Sequence, residues 1–146
     1  MIYTIKEITV DQTRPLRHSV LRPGLPVESV IYTEDSQKES LHFGLYIDEL
    51  LVTVASFYKL SNSLFPALCQ YQLRGMATDP AFRNKNAGNM LLNYAICRLK
   101  EINADLLWCN GRLVAQSFYE RLDFKTIGEM FLSVEIPHKV MWLALR

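Results

Sequence analysis

Apolar residues alternate with polar ones in some stretches of the chain and recur every three or four residues in others, and the succession of these periods predicts its elements. Tyr3 and Ile5, followed after a slip by Ile8, predict a short opening strand. Asp11 offers an N-cap, with Pro15 read as lying in the first turn, where its missing N–H does no harm. A helix through about Leu21 then turns Leu16 and Val20 inward and leaves Arg14, Arg17 and His18 elsewhere on its surface. Arg22-Pro23-Gly24-Leu25-Pro26 stops it, and residues 27–40 read as a loop or a short second helix. His42–Ile47 and Leu50–Tyr58 are apolar runs joined at Asp48-Glu49, the pattern of a hairpin. Cys69–Thr78 follows as a strand, and Gly75 in its interior marks a bulge or a close backbone approach.

In the second half, Leu91, Leu92, Ala95, Ile96, Leu99 and Ile102 fall on one face of a helix that ends near Asn103. Leu106–Cys109 is short and wholly apolar, as a buried strand is. Asn110-Gly111-Arg112 turns into a helix over Leu113–Leu122, with Ala115, Phe118, Tyr119 and Leu122 on one side. Phe124–Leu132 and Lys139–Leu145 form a second hairpin around Ile136-Pro137-His138. The order β-α-β-β-β-α-β-α-β-β predicts an α/β (α+β) fold, one domain over residues 1–146, with a central sheet and helices on both faces.

Composition narrows the class. A 49% hydrophobic content and a formal charge of +1 describe an ordinary globule, with no basic excess to suggest nucleic acid. There is no run of about 18 apolar residues and no signal-like start, so no membrane is expected and the cytoplasm is. Cys69, Cys97 and Cys109 are odd in number and form no C-x-x-C pair. They suit reduced thiols rather than a disulfide frame or a zinc site, and no metal is expected.

The candidate chemistry lies in the stretch from Met76 to Leu92. It reads as a strand end, a turn at Pro80, a polar basic loop and then the long helix. A loop feeding a helix leaves backbone N–H groups unpaired, and the helix dipole makes them more positive. Arg83 and Lys85 add two cations, which together make a receptor for a phosphate-bearing ligand. A solvated basic helix start capped by Asn86 is the plainer reading of the same residues. Neither a P-loop nor a G-x-G-x-x-G is present.

Pro80-x-x-Arg83-x-x-Asn86-x-Gly88 resembles the acyl-CoA-binding motif of the GNAT superfamily of N-acyltransferases, with Asn86 where a first glycine is usual. Ala115-x-x-Phe118-Tyr119-Glu120-x-Leu122-Asp123-Phe124 resembles a second motif of the family, with Asp123 at its usual glycine. Arg112 stands where many members carry Asn, and Asn110 ends the preceding strand. Ile136-Pro137-His138-x-x-Met141 is similar to the tail of a subgroup of small bacterial members, with Glu135 at the glycine.

The resemblance, which runs from about Arg17 to the end, implies a mixed, mostly antiparallel sheet. In it the strands Cys69–Thr78 and Leu106–Asn110 splay apart. It also implies acetyl-CoA as co-substrate, with no metal. Pantetheine would pair with the backbone at Met76, Ala77 and Thr78, and the pyrophosphate would meet Arg83, Asn84, Lys85, Asn86, Ala87, Gly88 and Asn89. Asn110 is implied in cofactor binding, and Tyr119 as the acid that protonates the leaving thiolate. Tyr119 beside Phe118 also suits a core aromatic. The general base is open between Glu129, His42, His138 and a water chain, because Cys69–Thr78 carries no acid. Cys109 is a poor nucleophile on a buried strand. Arg14, Arg17 and Arg22 either meet an anionic acceptor or form a solvated face.

The implied reaction is acetyl transfer from acetyl-CoA directly to the amine of a small molecule or peptide. The alternatives are a catalytically silent acyl-CoA-binding or sensing module, and an unrelated α/β domain. The acceptor, the acyl-chain preference and a homodimer stay open.

Overall fold

The computed structural model describes residues 1–146. Seven strands form one sheet in the order β1-β2-β3-β4-β5-β7-β6. They are β1 (Tyr3–Glu7), β2 (Leu41–Ile47), β3 (Leu50–Lys59), β4 (Gln70–Thr78), β5 (Leu106–Arg112), β6 (Lys125–Ser133) and β7 (Ile136–Ala144). The helices are α1 (Val10–Leu16), α2 (Ala87–Glu101) and α3 (Gln116–Glu120), with a π-helical turn over Arg17–Leu21 and short 3-10 turns elsewhere. Residues 27–40 hold two such turns, Val27–Val30 and Thr33–Ser36. The chain gathers into two compact units, one made of Met1–Tyr58 and Arg74–Ala95, the other of Lys59–Leu73 and Ile96–Arg146.

In the first unit, β1 pairs antiparallel with β2, and β2 with β3. The hairpin turn is Asp48-Glu49, and both residues have positive φ (49° and 71°), the backbone of a type I′ turn. Thr9, rather than Asp11, caps α1. Its hydroxyl accepts from Gln12 N–H while the Gln12 side chain accepts from Thr9 N–H, a capping box that satisfies two orphan donors. Pro15 therefore sits in the body of α1, not in its first turn. It cannot donate to the carbonyl four residues back, and the backbone widens into the π turn from Arg17.

Neighbouring positions of a strand face opposite sides. Val54, opposite Gly44, packs with Ile8 and Ala77 under Leu16, Val20 and Leu21, so α1 and the π turn cover that face. Phe43 points to the other face, where its ring meets Tyr94 of α2 at 5.6 Å. Helices thus lie on both faces of the sheet here, as the pattern predicts.

In the second unit, β5 pairs antiparallel with β7 from Leu106↔Ala144 to Arg112↔His138. β5 therefore extends beyond Cys109, and Asn110 lies inside it rather than at its end. β4 and β5 are parallel over Gln70–Gln72 and Leu106–Trp108, at the amino-terminal ends of both strands. β6 and β7 meet at Val134-Glu135, both with positive φ, not at Ile136–His138. Pro137 lies opposite Leu132, one position past the last β5 pair, where its missing N–H breaks no ladder bond. Phe65, Leu106 and Trp108 form the core with Ile127, Val140 and Trp142 against them. α2 ends at Glu101. Asn103 has a φ of 63°, and the bonds Asn103 N–H to Lys100 O and Ala104 N–H to Leu99 O make a Schellman cap. Ile102 is consequently past the helix and 48% exposed, unlike the buried Leu91, Leu92, Ala95, Ile96 and Leu99.

Candidate active site

β4 ends where Asp79 accepts from Ala81 N–H and Pro80 opens a single 3-10 turn. The loop that follows bends through positive φ at Asn84 (65°) and again at Asn86 (63°). Asparagine tolerates this backbone better than most residues. The Asn86 carbonyl accepts the first helical bond, from Met90 N–H at 3.1 Å. None of the backbone amides from Asn84 to Asn89 makes a close hydrogen bond to a carbonyl of the loop. The Arg83 and Lys85 side chains are exposed, and the Lys85 carbonyl is held by the Tyr3 hydroxyl at 3.2 Å. A row of N–H groups at the head of α2, flanked by two cations, can seat a phosphate. Met76 and Thr78 are partly buried, and the Thr78 hydroxyl hydrogen-bonds Thr53 at 3.1 Å; Ala77 is buried in the core.

One turn earlier on β4, Gly75 has a φ of 64°, and a Cβ there would lie 2.9 Å from Arg17 Nε and 3.2 Å from the Tyr32 ring. The close approach that a strand glycine signals is therefore made by Arg17 and Tyr32. Arg17 is not on the surface but fully buried. Its two Nη atoms reach Asp35 at 2.9 and 3.1 Å, the Val30 carbonyl at 2.9 Å, Ser56 at 2.7 Å and Tyr58 at 2.9 Å. Asp35 also accepts from the Tyr58 hydroxyl and from Tyr32 N–H. Burial alone would raise the Asp35 pKa, but the hydrogen bonds from Arg17 and Tyr58 overcome it and hold it at about 2. Burial would likewise lower that of Arg17, and the bond to Asp35 reverses the sign. Tyr32 lies between two guanidinium groups, Arg17 at 4.3 Å and Arg74 at 4.2 Å from its ring centre.

His42 belongs to the same network. Its Nδ1 is 2.7 Å from the Ser56 hydroxyl, and burial followed by the Arg17 charge pushes its pKa down, so the ring is neutral. His138 is tied to the Ile136 carbonyl at 2.7 Å and stacks on Phe131, and Glu129 is exposed.

In the second unit, Tyr119 is wedged between Phe118 and Phe124, at 5.1 and 5.3 Å between ring centres. Gly111 leaves room for it: a Cβ there would meet Met141 Sδ at 2.8 Å and the Tyr119 ring at 3.3 Å. The Tyr119 hydroxyl is hydrogen-bonded to the Cys109 thiol, and burial raises its pKa well above the ordinary value, so it keeps its proton at neutral pH. Burial also pushes the Cys109 thiol up to about 12, which makes it inert as a nucleophile. Asn110, next along β5, is exposed.

Residues 38–126 match the sequence profile described as an acetyltransferase (GNAT) domain. The chain belongs to the GNAT acetyltransferase family. It is 37% identical over 146 residues to YitI of Bacillus subtilis, an uncharacterised N-acetyltransferase, covering 97% of this chain and 96% of that one. The fold is similar to that of the ribosomal-protein-S18-alanine N-acetyltransferase of Escherichia coli, with a TM-score of 0.78 at 16% identity over 99% of this chain and 94% of the other. Escherichia coli ElaA is similar at a TM-score of 0.80 and 18% identity, over 97% and 99%.

Against GNAT motifs, the three departures from glycine share one physical cause. Asn86, Asp123 (69°) and Glu135 (62°) all adopt the positive φ that glycine would supply. Sequence reasoning missed the Arg17–Asp35–Tyr58 network. The signal was there in part: Arg17 falls at helical spacing with Thr13 and Val20, and Thr13 is buried too.

Proposed function

We propose that this GNAT protein transfers an acetyl group from acetyl-CoA directly to the amine of an acceptor. The observation that carries this reading is the set of amides from Asn84 to Asn89 without a close hydrogen bond, with Arg83 and Lys85 beside them. Arg83, Asn84, Lys85, Asn86, Ala87, Gly88 and Asn89 hold the pyrophosphate, and Met76, Ala77 and Thr78 pair with the pantetheine arm. Backbone N–H at Met76 polarises the thioester carbonyl, and Asn110 contributes to cofactor binding.

The amine nitrogen, having lost a proton to water or a side-chain base, attacks the carbonyl carbon. The C–N bond forms as the C–S bond breaks, the nitrogen gives up its extra proton to water or the same base, and Tyr119 gives its proton to the departing thiolate and regains one from solvent. A hydroxyl held protonated by burial suits that role. The other reading, a silent acyl-CoA-binding module, is favoured by one observation: β4 carries no carboxylate to serve as base. Release of CoA thiol from acetyl-CoA, measured with and without a panel of primary amines, separates the two. Amine-dependent release supports transfer; tight acetyl-CoA binding with no release from any amine supports the silent module.

A further inference from the structure

Beside the Arg17 network lies a cavity of about 280 Å³. That is near the lower limit of ligand pockets, roughly 300–1,000 Å³, and suits a small molecule. Arg14 and Asp35 line it, with Thr33, Ser36 and the apolar Val10 and Ile31. Ile31 is 49% exposed there, an uncovered apolar side chain at a cavity wall.

The charges beside this cavity are paired, but one donor is left over. Asp35 is already matched by the two-pronged contact with Arg17, the Tyr58 hydroxyl and Tyr32 N–H. Arg14 reaches Asp35 only at 3.5 Å through Nη2, and its short contact, 2.7 Å through Nη1, is with Asp11, whose side chain is 83% exposed. Arg14 Nε is buried without a hydrogen-bond partner. Nε and Nη2 form the side-on fork of a guanidinium, the arrangement that takes a carboxylate with two parallel hydrogen bonds. A buried donor without a partner is costly, so an anion bound there recovers that cost.

Tyr32 links the cavity to the strand to which we assign the thioester. Tyr32 is one of the cavity's walls, and the Tyr32 ring reaches β4 at Gly75, the residue before Met76. We propose that this cavity binds the acetyl acceptor, and that the acceptor is a small amine carrying a carboxylate, which Arg14 holds, and an apolar group, which covers Val10 and Ile31. The assignment of this ligand to the acceptor role rests on the acetyl-transfer reading above.

The test compares each of the common amino acids with its own carboxamide as acceptor, so that charge changes and the amine is kept. At least one acid should be acetylated with a kcat/KM tenfold or more above its amide. Arg14→Gln should raise KM for that acid about tenfold, leave kcat and the KM of the amide near the parent values, and Arg14→Lys should restore part of the loss. If Arg14→Gln does not fold, Ile31→Trp, which fills the cavity, must raise the same KM. Equal use of acids and amides, or indifference to both substitutions, overturns the proposal while acetyl transfer stands. If no amine releases thiol, acetyl transfer has failed, and calorimetry of the same amino acids with the CoA-loaded protein decides for the cavity. Binding that is lost in Arg14→Gln upholds the carboxylate site; no binding of any acid overturns it.

Discussion

Replacing Arg17 with methionine keeps much of the buried volume and removes the charge. In the parent, Arg17 is fully buried and Asp35 is 3% exposed in its side chain, so the substitution strands a carboxylate without its main partner. Removing one member of a buried pair costs about 3–5 kcal/mol. At about 2–4 °C per kcal/mol for a chain of this size, the melting temperature at pH 7 should fall by roughly 6–20 °C. The pH dependence fixes the cause. In the parent the folded pKa of Asp35, about 2, lies below its ordinary 3.8. Its contribution, on the order of 2 kcal/mol, is therefore fully present above about pH 3.8 and is lost as pH falls from there through about 2. In Arg17→Met burial is opposed only by the hydrogen bonds from Tyr58 and Tyr32, so the same pKa rises from its parent value; the variant suffers most at neutral pH and regains ground on the parent as the carboxyl protonates. Urea unfolding of both proteins at pH 7 and pH 3 reads this directly. A deficit under about 1 kcal/mol, or one equal at both pH values, would show that the ion pair does not organise this part of the fold.

Two further predictions concern the loop proposed to hold phosphate. Because Asn86 has positive φ, Asn86→Gly should leave acetyl-CoA binding unchanged or tighten it, whereas Asn86→Val should weaken it through strain; calorimetry giving equal affinities for the two would refute the backbone argument. Arg83→Ala with Lys85→Ala should weaken acetyl-CoA binding several-fold at low salt and less at high salt, and an unchanged affinity at both would misplace the loop.

Much of the fold was legible because it rests on local chemistry. The apolar periods located β2, β3, β4 and the end of α2 to within about two residues, and the Asp48-Glu49 turn lay between two apolar runs. The loop before α2 was legible in its form for the same reason: the turn at Pro80 and the exposed Arg83 and Lys85 lie where the sequence puts them. Other features were readable and misread. Thr9-x-x-Gln12 is a capping box in plain sequence, yet Asp11 was the expected cap. The turn at Val134-Glu135 was not legible, because a β-branched residue at a φ of 51° is contrary to local preference and is imposed by the pairing of β6 with β7. Nor was the union of Arg17 with Asp35, Ser56 and Tyr58, whose partners are 18, 39 and 41 residues away and are brought together only by the sheet.

The central claim is that the protein is a transferase whose leaving thiolate is protonated by Tyr119. The most direct measurement is steady-state thiol release by Tyr119→Phe, using an amine that the parent acetylates. The substitution keeps the ring between Phe118 and Phe124 and removes only the hydroxyl. The account predicts a fall in kcat of roughly ten- to a thousand-fold, with KM and melting temperature near those of the parent. Full turnover in Tyr119→Phe would contradict it.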